Sequence, residues 1–483
     1  MMIKYFVLFI VPIAAFSQTA YLTRLPNEII DFIVPASQYT NHGTGTTPEK
    51  QLSGTMISLG NFGGYITVKY NDPIPNDPKN PYGVDFTIYG NGNGTQGMSE
   101  PGNVYVSKDG DKWYLLAGSD YFDNNTVRDY EVTYTRSDAT INGFQQSIYE
   151  DNLGSVFPIS PNTYNNGYAY PLKEYYPLYK WEDGEEDKMT FKGPLLLSKA
   201  FDPYGSASAG FPAWGYADVH SNGDIGDEFG NPYTLNYADG AGVDGAGSYG
   251  NGFDISWAID QESGKPVVLD EISYIKIQGA SHIYGGRIGE KSPEITAILR
   301  AAEGTADVGV TTAPSAIKIN GVALDLNNTN LYYTNENGGE ISVEVESEAT
   351  VFINNTRCTE RTYETVPSSG VIRVVAQEET KQPQIYYIYI SSSSSDDPSS
   401  SSVANTPVKS PQHAVGNIRA NAINKTIILE NLPQGANVQI YNLKGKPIYS
   451  ANSENSKILR IPVQAKGLYI VKVGNQKWLA TSH

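Results

Sequence analysis

Cys358 is the single cysteine among 483 residues, so no internal disulfide can form and stability has to come from packed cores or bound ions. A lone cysteine of this kind reads as a small buried hydrophobe, not as a nucleophile. Histidine is scarce as well. His42, His220, His282, His413 and His483 are the only five, and none stands in a zinc or nucleophile spacing, which removes the side chain most often tuned near neutral pH. A Gly-x-Ser-x-Gly elbow is absent and the serines crowd into one tract, so Ser-His-Asp hydrolysis has no recognisable start. After the first residues no apolar run is long enough to span a bilayer, which predicts no transmembrane segment. Positive charge is short too: 34 Lys and Arg against 52 Asp and Glu give a net charge of -18. The acidic residues are scattered and form no tail, an arrangement that excludes nucleic acid and anionic membrane surfaces as expected partners.

What the chain does have is 47 Gly, 35 Tyr and 28 Pro, the composition of a β-rich extracellular protein long enough for two or three domains. Met1 to Ser17 runs from Lys4 through an apolar stretch to Ala15-Phe16-Ser17 and reads as a secretory signal peptide, 1–17. With no cysteine near that site a lipoprotein anchor is not expected, so the mature chain should pass through the periplasm and be secreted or attached to the outer surface. Between Ser58 and Tyr121 three runs alternate at period two: Tyr65 to Tyr70, Val84 to Tyr89, and Val104 to Ser107 leading through Asp109-Gly110 to Trp113-Tyr114-Leu115-Leu116. Each reads as a strand burying one face, and Asp109-Gly110 is a hairpin signal. Asp129 to Thr135, Met189 to Leu197 and Val267 to Ile277 add further strands. An eight-or-so stranded sandwich follows from the spacing of turn signals.

The segments SLGNFGGYITVKYNDPI, VDFTIYGNG and SEPGNVYVSKDGDKWYLLAGSDY, with Trp214 to Asp218 and Gly252 to Asp260, resemble a widespread family of bacterial secreted cell surface proteins. That resemblance implies a discoidin-like jelly-roll domain over 18–303 and implies no transferable catalytic residue. Residues 312–390, with INGV, VEVESEATVFINN and the closing strand Gln384 to Ile390, resemble the cadherin-like β-sandwich modules of bacterial surface proteins, which usually act as spacers. Ser391 to Pro411 is a serine-rich tract that cannot bury enough apolar surface to fold and is expected to be a flexible linker. In 412–483 the strand-and-turn IYNLKGK and the near-terminal GLYIVKV resemble the type A sorting domain of the type IX secretion system, which implies that machinery as a partner. The expected fold class is therefore all-β throughout: a jelly-roll sandwich, a small Ig/cadherin-like sandwich and a small C-terminal sandwich.

Three site readings follow. Tyr175, Tyr179 and Trp181 would share one face of an extended segment and offer a stacking surface for a glycan. Glu100, Asp218, Asp254 and Asp260 would suffice for a glycosidase pair, although turn carboxylates usually hydrogen-bond loop backbone. The loop Asp218 to Glu228 is rich in oxygen ligands but fails the EF-hand pattern, with His220 in the third place and Phe229 in the twelfth. Discoidin-like sandwiches often carry a structural ion, and the resemblance therefore implies Ca2+ in the first domain, with Asp218 and Asp254 as expected ligands. The functional expectation is a non-catalytic secreted or cell-surface binding protein that recognises a glycan. A carbohydrate-active hydrolase or lyase is one alternative, and a surface protein delivering a small nutrient to an outer-membrane transporter is another.

Overall fold

The computed structural model of the chain describes residues 23–35, 56–92, 99–122, 126–141, 144–152, 188–196, 212–219, 249–281, 292–302, 308–336, 340–354, 356–358, 364–366, 370–378 and 380–391. Near the C-terminus it describes 419–423, 426–430, 437–442, 447–452, 458–462, 467–473 and 476–482. Among these residues every regular element is a strand except two single 3-10 turns, Pro81–Gly83 and Ile255–Trp257. The all-β sandwich expected from the alternating runs is what forms. No helix among the described residues is long and apolar enough to cross a membrane. The chain divides into two compact units, Met1–Val408 and Lys409–His483.

The first sandwich is built on a seven-stranded antiparallel sheet. Its order is Glu28–Ile33, Tyr65–Pro75, Glu271–Gly279, Gly102–Ser107, Tyr114–Leu116, Ala258–Asp260 and Lys265–Pro266. The period-two pattern decides which side chains go inward: Ile66, Val68, Val104, Val106, Ile275 and Ile277 share one face and are fully buried. Against them pack Phe86 and Ile88 of Phe86–Gly90, Phe253 of Tyr249–Phe253 and Ile298 of Ala297–Arg300, strands of a separate three-stranded sheet. Trp214 and Trp257 meet edge to face at 4.8 Å within the same core. Each such aliphatic side chain contributes about 1.5–3 kcal/mol by burial. The hairpin signal is realised at Gly110, whose φ of 87° suits a residue without Cβ, and Tyr105 then faces Leu115 across the two strands.

A second three-stranded sheet, Phe144–Asp151, Thr126–Ile141 and Lys188–Leu196, flanks this sandwich. It is anchored at Phe62, whose ring meets Tyr130 edge to face at 4.7 Å and whose carbonyl accepts the Tyr134 hydroxyl at 3.0 Å.

Residues 316–391 form a second sandwich. Its four-stranded sheet runs Val322–Ala323, Ala316–Ile319, Ile341–Glu346, Glu364–Val366, and its five-stranded sheet runs Asn330–Thr334, Gln384–Ser391, Gly370–Gln377, Thr350–Ile353, Thr356–Cys358. Ile317, Val343, Ile353, Ile372, Val374 and Ile388 fill its core, and Cys358 lies half-buried beside it. The two central strands of the five-stranded sheet, Gly370–Gln377 and Gln384–Ser391, are mostly buried on both faces. Alternate residues Phe352 and Val375 belong to the core of the first sandwich, and Arg373 and Tyr387 point the same way, so YYIYI and VIRVVA read as almost continuously buried runs. A spacer would leave that second face to solvent; here it is an internal interface.

The C-terminal unit also has two antiparallel sheets. One runs Arg419–Ile423, Thr426–Glu430, Ile458–Pro462, and the other runs Pro447–Asn452, Asn437–Asn442, Gly467–Val473, Gln476–Ser482. Leu429, Val438, Ile440 and Ile461 are buried between them.

Candidate functional site

The pairing register that sends Ile275 and Ile277 into the core turns Tyr274, Lys276 and Gln278 to the opposite face of the seven-stranded sheet. Lys276 sits beside Thr67 on one neighbouring strand and Tyr105 on the other, while Tyr274 sits beside Lys69 and Ser107. The Lys276 ammonium lies 4.6 Å from the centre of the Tyr105 ring, 5.0 Å from Trp113 and 5.8 Å from Tyr65. Lys69 stands over Tyr274 at 5.7 Å, and Tyr274 meets Trp113 edge to face at 6.3 Å. Tyr105 forms the buried floor, and Tyr65, Lys69, Trp113, Tyr274 and Lys276 are each partly buried, Tyr65 packing against the cluster of Phe62 and Tyr130 and Trp113 against that of Tyr105 and Leu115.

One end of this face is roofed. Gly193 comes so close that a Cβ there would meet Gln278 Oε1 at 2.5 Å and the Tyr105 hydroxyl at 2.8 Å, and the Asn103 amide donates to the Pro194 carbonyl at 2.8 Å. Tyr105 in turn donates to Gln278 Oε1 at 2.9 Å. Burial holds the Lys276 ammonium below its ordinary pKa, with the charge of Asp31 pulling the other way. Tyr65 holds that carboxylate with a 2.6 Å hydrogen bond. Flat, partly buried rings beside fixed polar groups are the chemistry by which protein surfaces hold sugar rings.

The acidic residues are gathered differently. Glu100, Asp218 and Glu294 place one carboxylate oxygen each within 4.8 Å of one another, and all three side chains are buried. Asp218 is 1% exposed and adopts φ of 58°. Its carboxylate accepts the backbone N–H of Gly92 at 2.6 Å and of Glu294 at 2.8 Å. Gly90 and Gly92 crowd it so closely that neither position has room for a Cβ. Burial first, and then the charge of Glu100, push Asp218 well above the usual carboxylate range, against the backbone donors that favour its ionised form. Three ionised carboxylates this close and this dry need either shared protons or a cation. The donors are all oxygens, and Asn91, whose backbone also bonds Asp218, keeps a buried side-chain oxygen with no hydrogen-bond donor; that set fits a hard ion such as Ca2+.

Asp254 does not join this group. Its carboxylate caps the turn Ile255–Trp257 by accepting Ser256 N–H at 2.7 Å, and it accepts the Gln382 amide of the second sandwich at 3.1 Å. Its acidic neighbour is Asp85, fully buried and held by Asp77 N–H, Ile255 N–H and the Asn80 amide at 2.9–3.0 Å. Burial pushes Asp254 up to about 6. Burial and the nearby Asp254 charge push Asp85 well above its ordinary range. Asp260 closes the strand Ala258–Asp260, and its carboxylate accepts the Ser263 N–H of the following turn at 2.9 Å.

Tyr175, Tyr179 and Trp181 lie outside the described residues. The residues missed by reading motifs are Tyr65, Lys69, Trp113, Tyr274, Lys276 and Glu294. For Tyr65, Lys69, Tyr274 and Lys276 a signal was present: they occupy outward positions of alternating strands, where aromatics and lysines stand in place of Ser and Thr, while Trp113 lies just before the strand Tyr114–Leu116.

No family model matches the chain, and no curated protein matches it. Among solved structures, a "Biofilm associated protein - BSP domain" is similar at 8% identity with a TM-score of 0.12, the match covering 94% of this chain and 98% of that one. A likeness at that score carries no argument about function.

Proposed function

We propose that this chain is a non-catalytic binding protein, secreted or attached to the outer surface, whose ligand is a glycan held on the outward face of the seven-stranded sheet. The observation that carries the reading is the convergence of the Tyr65, Tyr105 and Trp113 rings on Lys276, with Tyr274 beside them, on a partly buried face. The floor is fixed by main-chain pairing, so the rings are positioned before any ligand arrives. The address rests on the N-terminal signal-like segment and on the strand motifs IYNLKGK and GLYIVKV near the C-terminus, which support export through the type IX machinery. A hydrolase or lyase would need carboxylates that a sugar polymer can reach, whereas Glu100, Asp218 and Glu294 are each at most 6% exposed.

A structural Ca2+ held by Glu100, Asp218 and Glu294 belongs to the same proposal. It is supported by the closeness of three buried carboxylates. There the ion would supply only charge compensation, while Gly92 and Glu294 N–H groups orient Asp218.

Affinity electrophoresis of the mature chain through gels containing soluble polysaccharides, run beside an assay for reducing ends, tests the function. Retardation without release of products is expected. Product release would favour the hydrolase or lyase, and tight binding of one small nutrient with no polymer bound would favour the capture protein.

A further inference from the structure

Among the described residues the three strand lysines of this sheet, Lys69, Lys265 and Lys276, make no ion pair within salt-bridge distance, although Glu28 is the cross-strand neighbour of Lys69. Lys108 at its rim pairs with Asp270 at 2.6 Å, and Lys112 reaches Asp260 at 3.7 Å. Among the described residues neither Lys276 nor Lys69 has a carboxylate within salt-bridge distance, in a chain that carries 52 acidic residues against 34 basic ones. The nearest acidic influence on Lys276 is Asp31, whose Oδ2 is engaged by Tyr65. A largely buried ammonium without an anion is unusual, because desolvation disfavours the charged form. The three rings offset part of that cost, by about 0.5–2 kcal/mol for a cation–π contact, and among the described residues its N–H donors meet no oxygen acceptor. Lys276 and Lys69 lie diagonally across adjacent strands, at a separation of roughly 7–8 Å between backbones for such a pair. Trp113 and Tyr65 stand beside them with their rings partly buried.

We propose that the glycan taken by this face is acidic: a uronic-acid-bearing polysaccharide whose carboxylate accepts from Lys276, with Lys69 meeting the next charge and Trp113 and Tyr65 stacking on the sugar rings. This rests on the glycan-binding reading above and narrows it to a substrate class. Electrostatics elsewhere oppose such a ligand, since a chain of net charge -18 repels a polyanion. Retention of one therefore reports a local site and not general attraction.

The test uses the full mature chain with its metal content left undisturbed, with polygalacturonate, the same polymer fully methyl-esterified, and a neutral galactan as probes. Polygalacturonate should bind, esterification should weaken binding at least tenfold, and added salt should weaken it further. Lys276→Met, which keeps the length of the stem, should lose the preference for the free acid while Lys276→Arg retains it, both with unchanged circular dichroism. If the three polymers bind equally and Lys276→Met changes nothing, the acidic-ligand inference fails and the glycan reading stands. If none of these polymers binds, nor any in a wider neutral panel, both fail together.

Discussion

Arg373 Nη2 donates a hydrogen bond to the carbonyl oxygen of Gly118 at 2.9 Å, joining a strand of the second sandwich to a turn of the first. The guanidinium is fully buried among aromatic faces, 4.7 Å from Trp214, 5.1 Å from Phe122 and 5.7 Å from Tyr387. Those rings offset only part of its lost hydration: burial lowers its pKa, and Nε and Nη1 have no hydrogen-bond partner among the described residues. Phe352 and Val375 beside it extend the same interface. The two sandwiches should therefore melt together. In calorimetry of the whole chain, Arg373→Ala is expected to lower that joint transition, at a cost of about 2–5 kcal/mol from the cavity left behind. Arg373→Met, which fills the volume without a charge, should stay near wild type. Two well-separated transitions for these sandwiches in the wild type would contradict a shared core.

Between Asp254 and Asp85 the structure stores a dependence on pH. Asp254 is raised from 3.8 to about 6 by burial. The sign follows from the shift: the unfolded chain releases this proton near pH 4 while the folded chain holds it, so stability from this group is full below pH 4 and is lost as pH rises through about 6. At about 1.4 kcal/mol per unit the loss is about 3 kcal/mol at most. Asp254→Asn keeps a side chain able to cap Ser256 and should flatten the stability profile over that window relative to wild type. Urea titrations at pH 4.5 and 7 measure the difference. An unchanged slope in the variant would remove Asp254 as its source.

Calcium at Glu100, Asp218 and Glu294 predicts a different pH signature. Without the ion, burial and the Glu100 charge raise the Asp218 pKa in the folded chain, so the chelated protein should lose stability as pH rises above the usual carboxylate range. Added Ca2+ should remove that loss, stabilising more at pH 7 than at pH 5, by about 2.7 kcal/mol at a hundredfold excess over its dissociation constant. Identical melting curves with Ca2+ and with chelator at pH 7, together with no metal by elemental analysis, would exclude the ion.

Much of the fold was legible in the sequence because strands leave a period-two trace, although Phe86–Gly90 and Gly102–Ser107 are buried on both faces and not on the one face expected. YITVKY, VDFTIY and VYVS announce their strands, and Asp109-Gly110 announces its turn. The five-stranded sheet of the second sandwich was harder, since YYIYI and VIRVVA are buried on both sides and lose the alternation that would show what lies across from them. Asp218 was singled out from its loop, but its partners Glu100 and Glu294 lie 118 and 76 residues away, as the sequence positions give, and only pairing brings them together. Asp254 looked equivalent to Asp218 by motif. Its surroundings differ because Gln382, from another sandwich, completes them.

Export should require both ends of the chain. Removing Gln412 to His483 is expected to leave the remainder in the periplasm, detected by fractionation and immunoblotting. Normal amounts of the truncated chain at the cell surface or in the medium would argue against a sorting function for the C-terminal unit.

The most direct measurement is glycan retention by Trp113→Ala, with melting followed on the same sample. Trp113 is partly buried, its indole N–H donates to the Gly110 carbonyl at 2.9 Å and its ring packs against the cluster of Tyr105 and Leu115, so the substitution removes a ring from the binding face, and melting on the same sample separates lost binding from lost packing. The binding face predicts at least tenfold weaker retention, about 1.4 kcal/mol, with the fold preserved. Undiminished retention by a folded Trp113→Ala chain, and by Tyr274→Ala beside it, would place the ligand elsewhere and contradict the assignment of this face.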